Sequence, residues 1–191
     1  SSAGEAWRRA LATDPQSAFG GVVAFNTVVD KATAEEMVGL FLEVIVAPSF
    51  HDEALKVLAA KKNLRVVELP VSHGERGLDY KCVRGGFLVQ DRFQFDPSEE
   101  AWRVPTVRHP TEAEWSDLRF GWAGVATVKS NAILLVRGEA VIGIGAGQMS
   151  RVDSSFLAVH KARQQGHDPR GSVLASDGFF PFPDGVEAAA A

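Results

Sequence analysis

The chain has 191 residues, 46% of them apolar, with an ordinary share of charge, so it can bury one substantial core or two small ones and is too apolar to be disordered. A net charge of −4 with no basic stripe argues against a nucleic-acid partner. A lone cysteine, Cys82, excludes an internal disulfide and suits a cytoplasmic protein, and no apolar run reaches membrane-spanning length.

In chain order, Ala6–Leu11 has the pattern of a short helix, and Gly21–Phe25 is an apolar run fit for a buried strand. Thr33-Ala34-Glu35-Glu36 has capping-box form and is expected to open a helix reaching about Phe41. Val44–Ala47 is a second buried strand, ended by Pro48. A helix from about Asp52 to Lys61 follows, expected to turn Ala54, Leu55, Leu58 and Ala59 to one face. Leu64–Leu69 supplies a third strand, and this alternation predicts an α/β layered domain with some parallel pairing. Residues 70–85 read as a surface excursion, Gly86–Asp91 as a strand, and 92–110 as a loop carrying Pro97, Pro105 and Pro110. A second capping box, Thr111-Glu112-Ala113-Glu114, opens a long helix to about Thr127. Ala132–Val136 and Ala140–Ile144 form a hairpin about Arg137-Gly138-Glu139. A helix capped by Ser150 runs to about Gln165, and Ser172–Ala175 is the last strand. The chain opens within a helical pattern and ends on alanines with no C-cap, as expected of a part of something longer.

The most informative run is Ile142-Gly143-Ile144-Gly145-Ala146-Gly147-Gln148-Met149-Ser150-Arg151. Its glycines are expected to let the backbone turn tightly and approach a ligand, next to a helix N-terminus that favours anions. Arg151 opposes the helix dipole there, and a locally broken rule tends to mark a functional position. The plain alternative is a Gly-rich turn with a surface arginine.

Three further strings accompany it: Thr13-Asp14-Pro15-Gln16-Ser17-Ala18-Phe19-Gly20-Gly21, Lys129-Ser130-Asn131, and Ala175-Ser176-Asp177-Gly178-Phe179-Phe180-Pro181-Phe182-Pro183-Asp184-Gly185. In this order and spacing, with Glu43–Pro48 and Gly86–Asp91 between them, they resemble the formyltransferase half of the bifunctional AICAR transformylase/IMP cyclohydrolase family, where AICAR is aminoimidazole carboxamide ribonucleotide. The resemblance runs from about residue 5 to the end. It implies a layered α/β/α, cytidine deaminase-like fold truncated at both ends, divided into two lobes at about 1–110 and 111–191, without the cyclohydrolase domain. It also implies a phosphoribosylaminoimidazolecarboxamide formyltransferase of purine biosynthesis. Such an enzyme moves a formyl group from 10-formyltetrahydrofolate to the 5-amino group of AICAR, in the cytoplasm, as a homodimer, without a metal.

Carried over residue by residue, the resemblance places Asp14, Asn131, Arg151 and Phe179 on the nucleotide and Val152 and Asp184 on the folate. Each also has a plainer reading. Asp14 and Asn131 are common turn residues, a phenylalanine cluster usually packs a core, and Asp184 suits a helix start. The chemistry of the residues is compatible with the ligands, since an amide both donates and accepts and a guanidinium fork matches planar oxygen acceptors. His51, His73, His109, His160 and His167 fall outside any family motif and are expected to be structural or solvated. The charged residues along 52–76 are expected to form a solvated face.

No catalytic residue is assigned, because the family's Lys-His pair has no counterpart in this chain. Its Arg-Tyr-Gly motif and C-terminal arginine segment are missing as well. Gly178 stands where the family usually has alanine, and Pro183 where it usually has arginine. Little or no turnover by this chain alone is therefore expected. The alternative is a non-catalytic nucleotide- or folate-binding module. A deaminase-type zinc site is argued against by the single cysteine, and a dinucleotide site by the spacing of the glycines.

Overall fold

The computed structural model describes residues 2–71, 77–92 and 98–190. Helix α1 (Ala3–Thr13) is capped by Ser2, whose hydroxyl accepts from the Glu5 N–H. Strands β1 (Gly21–Ala24), β2 (Leu42–Ala47) and β3 (Arg65–Glu68) form a parallel sheet in that order. The crossovers carry helices α2 (Lys31–Met37) and α3 (Asp52–Leu58). Parallel neighbours need such crossovers, and the burial of Met37, Ile45, Phe50 and Leu58 with Trp7 of α1 closes this core.

Three local expectations need correction here. Asp30, not Thr33, caps α2: its carboxylate accepts from the Thr33 N–H at 2.8 Å, Thr33 itself is buried, and the helix ends at Met37 rather than near Phe41. An aspartate is as good a cap as threonine and lay three residues upstream. Helix α3 stops at Leu58, with Ala54 and Leu58 buried one turn apart and Val57 partly buried against the same core, while Leu55 and Ala59 are exposed. Within the supposed excursion, Leu78–Val83 is strand β4, paired antiparallel with β5 (Gly86–Asp91) about Arg84-Gly85, where Gly85 has φ +90°. A two-residue turn ending in glycine is a hairpin signal that the mixed charges obscured. Every residue of these two strands is exposed.

The second sheet is antiparallel, in the order β7 (Val141–Gly145), β6 (Ile133–Val136), β8 (Val173–Ser176). Alternation along central β6 fixes the layers. Leu134 and Val136 face helix α4 (Glu112–Val125), with Val125 and Ala175. Ile133 and Leu135 face helix α5 (Arg151–Gln164), with Ala158, Val159 and Ala162. Helix α6 (Asp184–Ala190) packs beside α5. The capping box at Thr111 and Glu114 forms as expected.

The glycines of β7 act differently from expectation. A Cβ on Gly143 or Gly145 would overlap the carbonyl oxygens of Ala158 and Ser154, so both are there to bring the strand against α5. Only Gly147, with φ +66°, makes the tight turn.

Candidate functional site

Asn131, Ser150, Arg151, Val152, Phe179 and Asp184 line one cavity of about 370 Å³. It lies where β6 begins, β8 ends and α5 starts, so one end of the sheet gathers three separated sequence motifs. Ser150 caps α5 by accepting from the Asp153 N–H at 3.0 Å. The turn before it is closed by Gly147 N–H donating to the Lys129 carbonyl at 2.8 Å. The Ser130–Asn131 peptide is cis. Asn131 donates from Nδ2 to the carbonyls of Gln148 at 3.0 Å and Met149 at 3.2 Å, while Ser154 Oγ donates to the Asn131 carbonyl at 2.8 Å.

Arg151 folds back across this floor. Nη1 donates to Asp177 Oδ1 at 2.5 Å and Ser176 Oγ at 2.9 Å, and Nη2 donates to Asn131 Oδ1 at 3.0 Å. Its guanidinium also sits 5.8 Å from the centre of the Phe180 ring. Three of its five N–H groups are thus engaged, leaving two. The side chains of Arg151 and Asp177 are only 15% and 14% exposed, which makes this a dry pair rather than a surface one. Burial alone would raise the Asp177 carboxyl. Hydrogen bonds from Ser130, the Ala132 N–H and Arg151, with the arginine's charge, outweigh it and hold the group below the ordinary carboxylate value.

The rim is apolar and open. Phe179 and Phe182 are 82% and 68% exposed, and Met149 is almost fully so. Asp184, exposed at the first turn of α6, accepts from the Gly185 N–H at 2.8 Å. The structure therefore brings five of the six expected residues to one place.

Asp14 is the exception. It ends α1, bonds Ser17 through both carboxylate oxygens, and meets Lys161 at 3.3 Å and Gln165 at 3.2 Å near the C-terminus of α5. Burial would raise its carboxyl, but the bonds from Ser17 and Lys161 and the lysine's charge hold it low. Ten residues of helix, about 15 Å, separate Lys161 from Arg151.

Asp177 and Ser176 were not singled out in the sequence. The available signal was Arg151 itself: a cation against the helix dipole asks for a nearby anion, and Asp177 followed a strand end in a string already of interest. His51, His109 and His160 are exposed, and His160 stacks on Phe156. His167 is half-buried against the Ala12 carbonyl at 2.8 Å. None lines the cavity, and His73 lies outside the described residues. Roomier cavities of about 640 Å³, walled by Trp102, Trp115 and Trp122, and 770 Å³, beside β1, lie elsewhere, and neither is lined by Asn131, Arg151 or Asp184. Among the described residues no three His, Cys, Asp or Glu side chains gather at one point, and no helix is long and apolar enough to cross a membrane.

A family model described as the AICARFT/IMPCHase bienzyme matches residues 1–161. The bifunctional purine biosynthesis protein PurH of Shouchella clausii is 50% identical over 187 residues, 98% of this chain and 36% of the relative. The PurH proteins of Macrococcus caseolyticus and of a Thermoanaerobacter species are each 48% identical, over 97% and 96% of this chain and 37% and 35% of their own lengths. The chain thus spans little more than a third of the curated relatives it matches, and it belongs to the AICARFT/IMPCHase bienzyme family.

Proposed function

We propose that this chain is part of the AICAR transformylase half of a purine-biosynthesis enzyme, with two lobes at about 1–110 and 111–191, and that it supplies a binding wall rather than the acid–base groups. The observation that carries this reading is the convergence of Asn131, Arg151, Val152, Phe179 and Asp184 on one cavity. The free N–H groups of Arg151 suit an oxygen acceptor of AICAR, with the guanidinium plane fixed by its three existing bonds. Phe179 offers an exposed ring for a flat heterocycle. The folate is assigned to Val152, which is apolar, and to Asp184, whose exposed carboxylate can accept from pterin N–H groups.

In the reaction proposed, the 5-amino nitrogen of AICAR attacks the formyl carbon of 10-formyltetrahydrofolate. A C–N bond forms, the bond from the formyl carbon to the folate nitrogen breaks, and the proton lost by the amine passes to that nitrogen. Such a weak amine needs a base as it attacks. Among the described residues no histidine or lysine lines the cavity, and in this reading the chain orients reactants and has little turnover alone. Asp14 lies too far along α5 to touch a ligand held by Arg151 in the same chain. A homodimer, in the cytoplasm, is the assembly in which a second copy could bring it there.

Calorimetric titration of the chain with AICAR, and separately with the folate, tests the reading. Binding of AICAR that Phe179→Ala weakens by about tenfold, roughly 1.4 kcal/mol, is expected. Absence of AICAR binding by a folded chain, or formyl transfer by the chain alone, would contradict it.

A further inference from the structure

Among the described residues that line the cavity, Arg151 is the sole cation and Asp184 the sole carboxylate. Behind the guanidinium, Asp177 at 2.5 Å already matches its charge, with both side chains largely out of water. A pair this close and dry acts on a third charge as a near-neutral unit, because the attraction of an incoming anion to the cation is offset by repulsion from the carboxylate behind it. Asp184 at the rim and Asp153 in the first turn of α5 add further negative charge. The two remaining N–H groups of Arg151 keep their ability to donate. A free phosphate would need a net positive field, whereas an uncharged carbonyl oxygen needs only the donors.

The backbone beyond Asp177 supports the same arrangement. A Cβ at Gly178 would stand 2.7 Å from Arg151 Nη2. The guanidinium thus packs close against the turn, in space that a side chain at residue 178 would contest.

We propose that Asp177 is a positioning and specificity-determining residue. It holds Arg151 as a charge-matched donor, so that this corner accepts an uncharged oxygen and turns away free phosphate. The proposal rests on the reading of this cavity as the ligand site, but its test does not use the nucleotide. Inorganic phosphate is titrated into the chain, into Arg151→Ala and into Asp177→Asn, while the Arg151 Nε–Hε resonance is followed by NMR. Asparagine can still accept from the Ala132 N–H, which Asp177 does at 2.8 Å, so the sheet contact is preserved.

The parent is expected to show no Arg151-dependent phosphate binding. Asp177→Asn should gain at least about tenfold in phosphate affinity, with a shift of the Arg151 resonance on binding. Phosphate binding by the parent that Arg151→Ala abolishes would overturn the proposal. So would a folded Asp177→Asn that binds phosphate no better than the parent. If that variant does not fold, the comparison of parent with Arg151→Ala decides alone: absence of a difference supports the proposal and Arg151-dependent binding refutes it. Failure of the nucleotide reading would appear instead as missing AICAR binding, which this titration does not measure.

Discussion

Helix α5 carries a cation–aspartate pair at each end, and the two are built for different work. At its start, Arg151 and Asp177 are about 15% exposed, 2.5 Å apart, and tied to Ser176, Asn131 and the Ala132 N–H. Near its end, Lys161 and Asp14 are 30% and 23% exposed and 3.3 Å apart. The guanidinium fork joins three strand and loop termini at once, which the single ammonium of Lys161 does not attempt. The lysine is where the helix dipole wants a cation, so its pairing with α1 needs no further support. The arginine is where the dipole does not want one. Asp177, Ser176 and Asn131 all accept from it there, with Asp177 supplying the counter-charge, and Arg151 and Asn131 line the cavity.

The largest effect expected on this comparison comes from the strand both ends share. Gly145→Val would drive α5 off β7, since even a Cβ there overlaps the Ser154 carbonyl. A loss of about 3 kcal/mol or more in urea unfolding, or no folded protein, is expected. Asp177→Ala comes next, leaving a mostly buried guanidinium without its counter-charge, at about 2–3 kcal/mol. Lys161→Ala should cost under about 1 kcal/mol, since that pair is wetter and longer. Equal losses at the two ends would show that the two pairs do not differ in kind.

The pH dependence sharpens it further. Folding lowers the Asp177 carboxyl below its ordinary value of 3.8. Its contribution is therefore full above that value and is lost as pH falls through the lower folded value. The stability gap between the parent and Asp177→Asn should narrow as unfolding is repeated below about pH 4. A gap that is constant with pH would remove the ion pair from the account. The smallest effect is expected from Gly178→Ala. The end of a flexible side chain can move from a 2.7 Å contact, so stability should fall by under about 1 kcal/mol while the Arg151 resonance shifts.

Much of this was legible in the sequence where local chemistry decides structure. The Ser150 cap, the Thr111 capping box and the β6–β7 hairpin follow from short-range rules, and the cavity residues follow from matched strings. What escaped depends on contacts made across the fold. Gly143 and Gly145 look like loop glycines until the carbonyls of α5 are seen against them. Asp14 looks like a companion of Arg151 until ten residues of α5 are seen to separate its partner Lys161 from that arginine. Asp177 is invisible because its partner is 26 residues away in sequence. Strand β4 was lost among mixed charges because neither of its faces is buried.

The most direct test of the site is an NMR titration of the chain with AICAR, reading the backbone amides. Shifts confined to residues 129–132, 147–152 and 177–185, with those at 14–17 and 161–165 unmoved, would place the ligand at the Arg151 end of α5 as argued. Shifts centred on Asp14 and Lys161 instead, or none anywhere at saturating nucleotide, would contradict it.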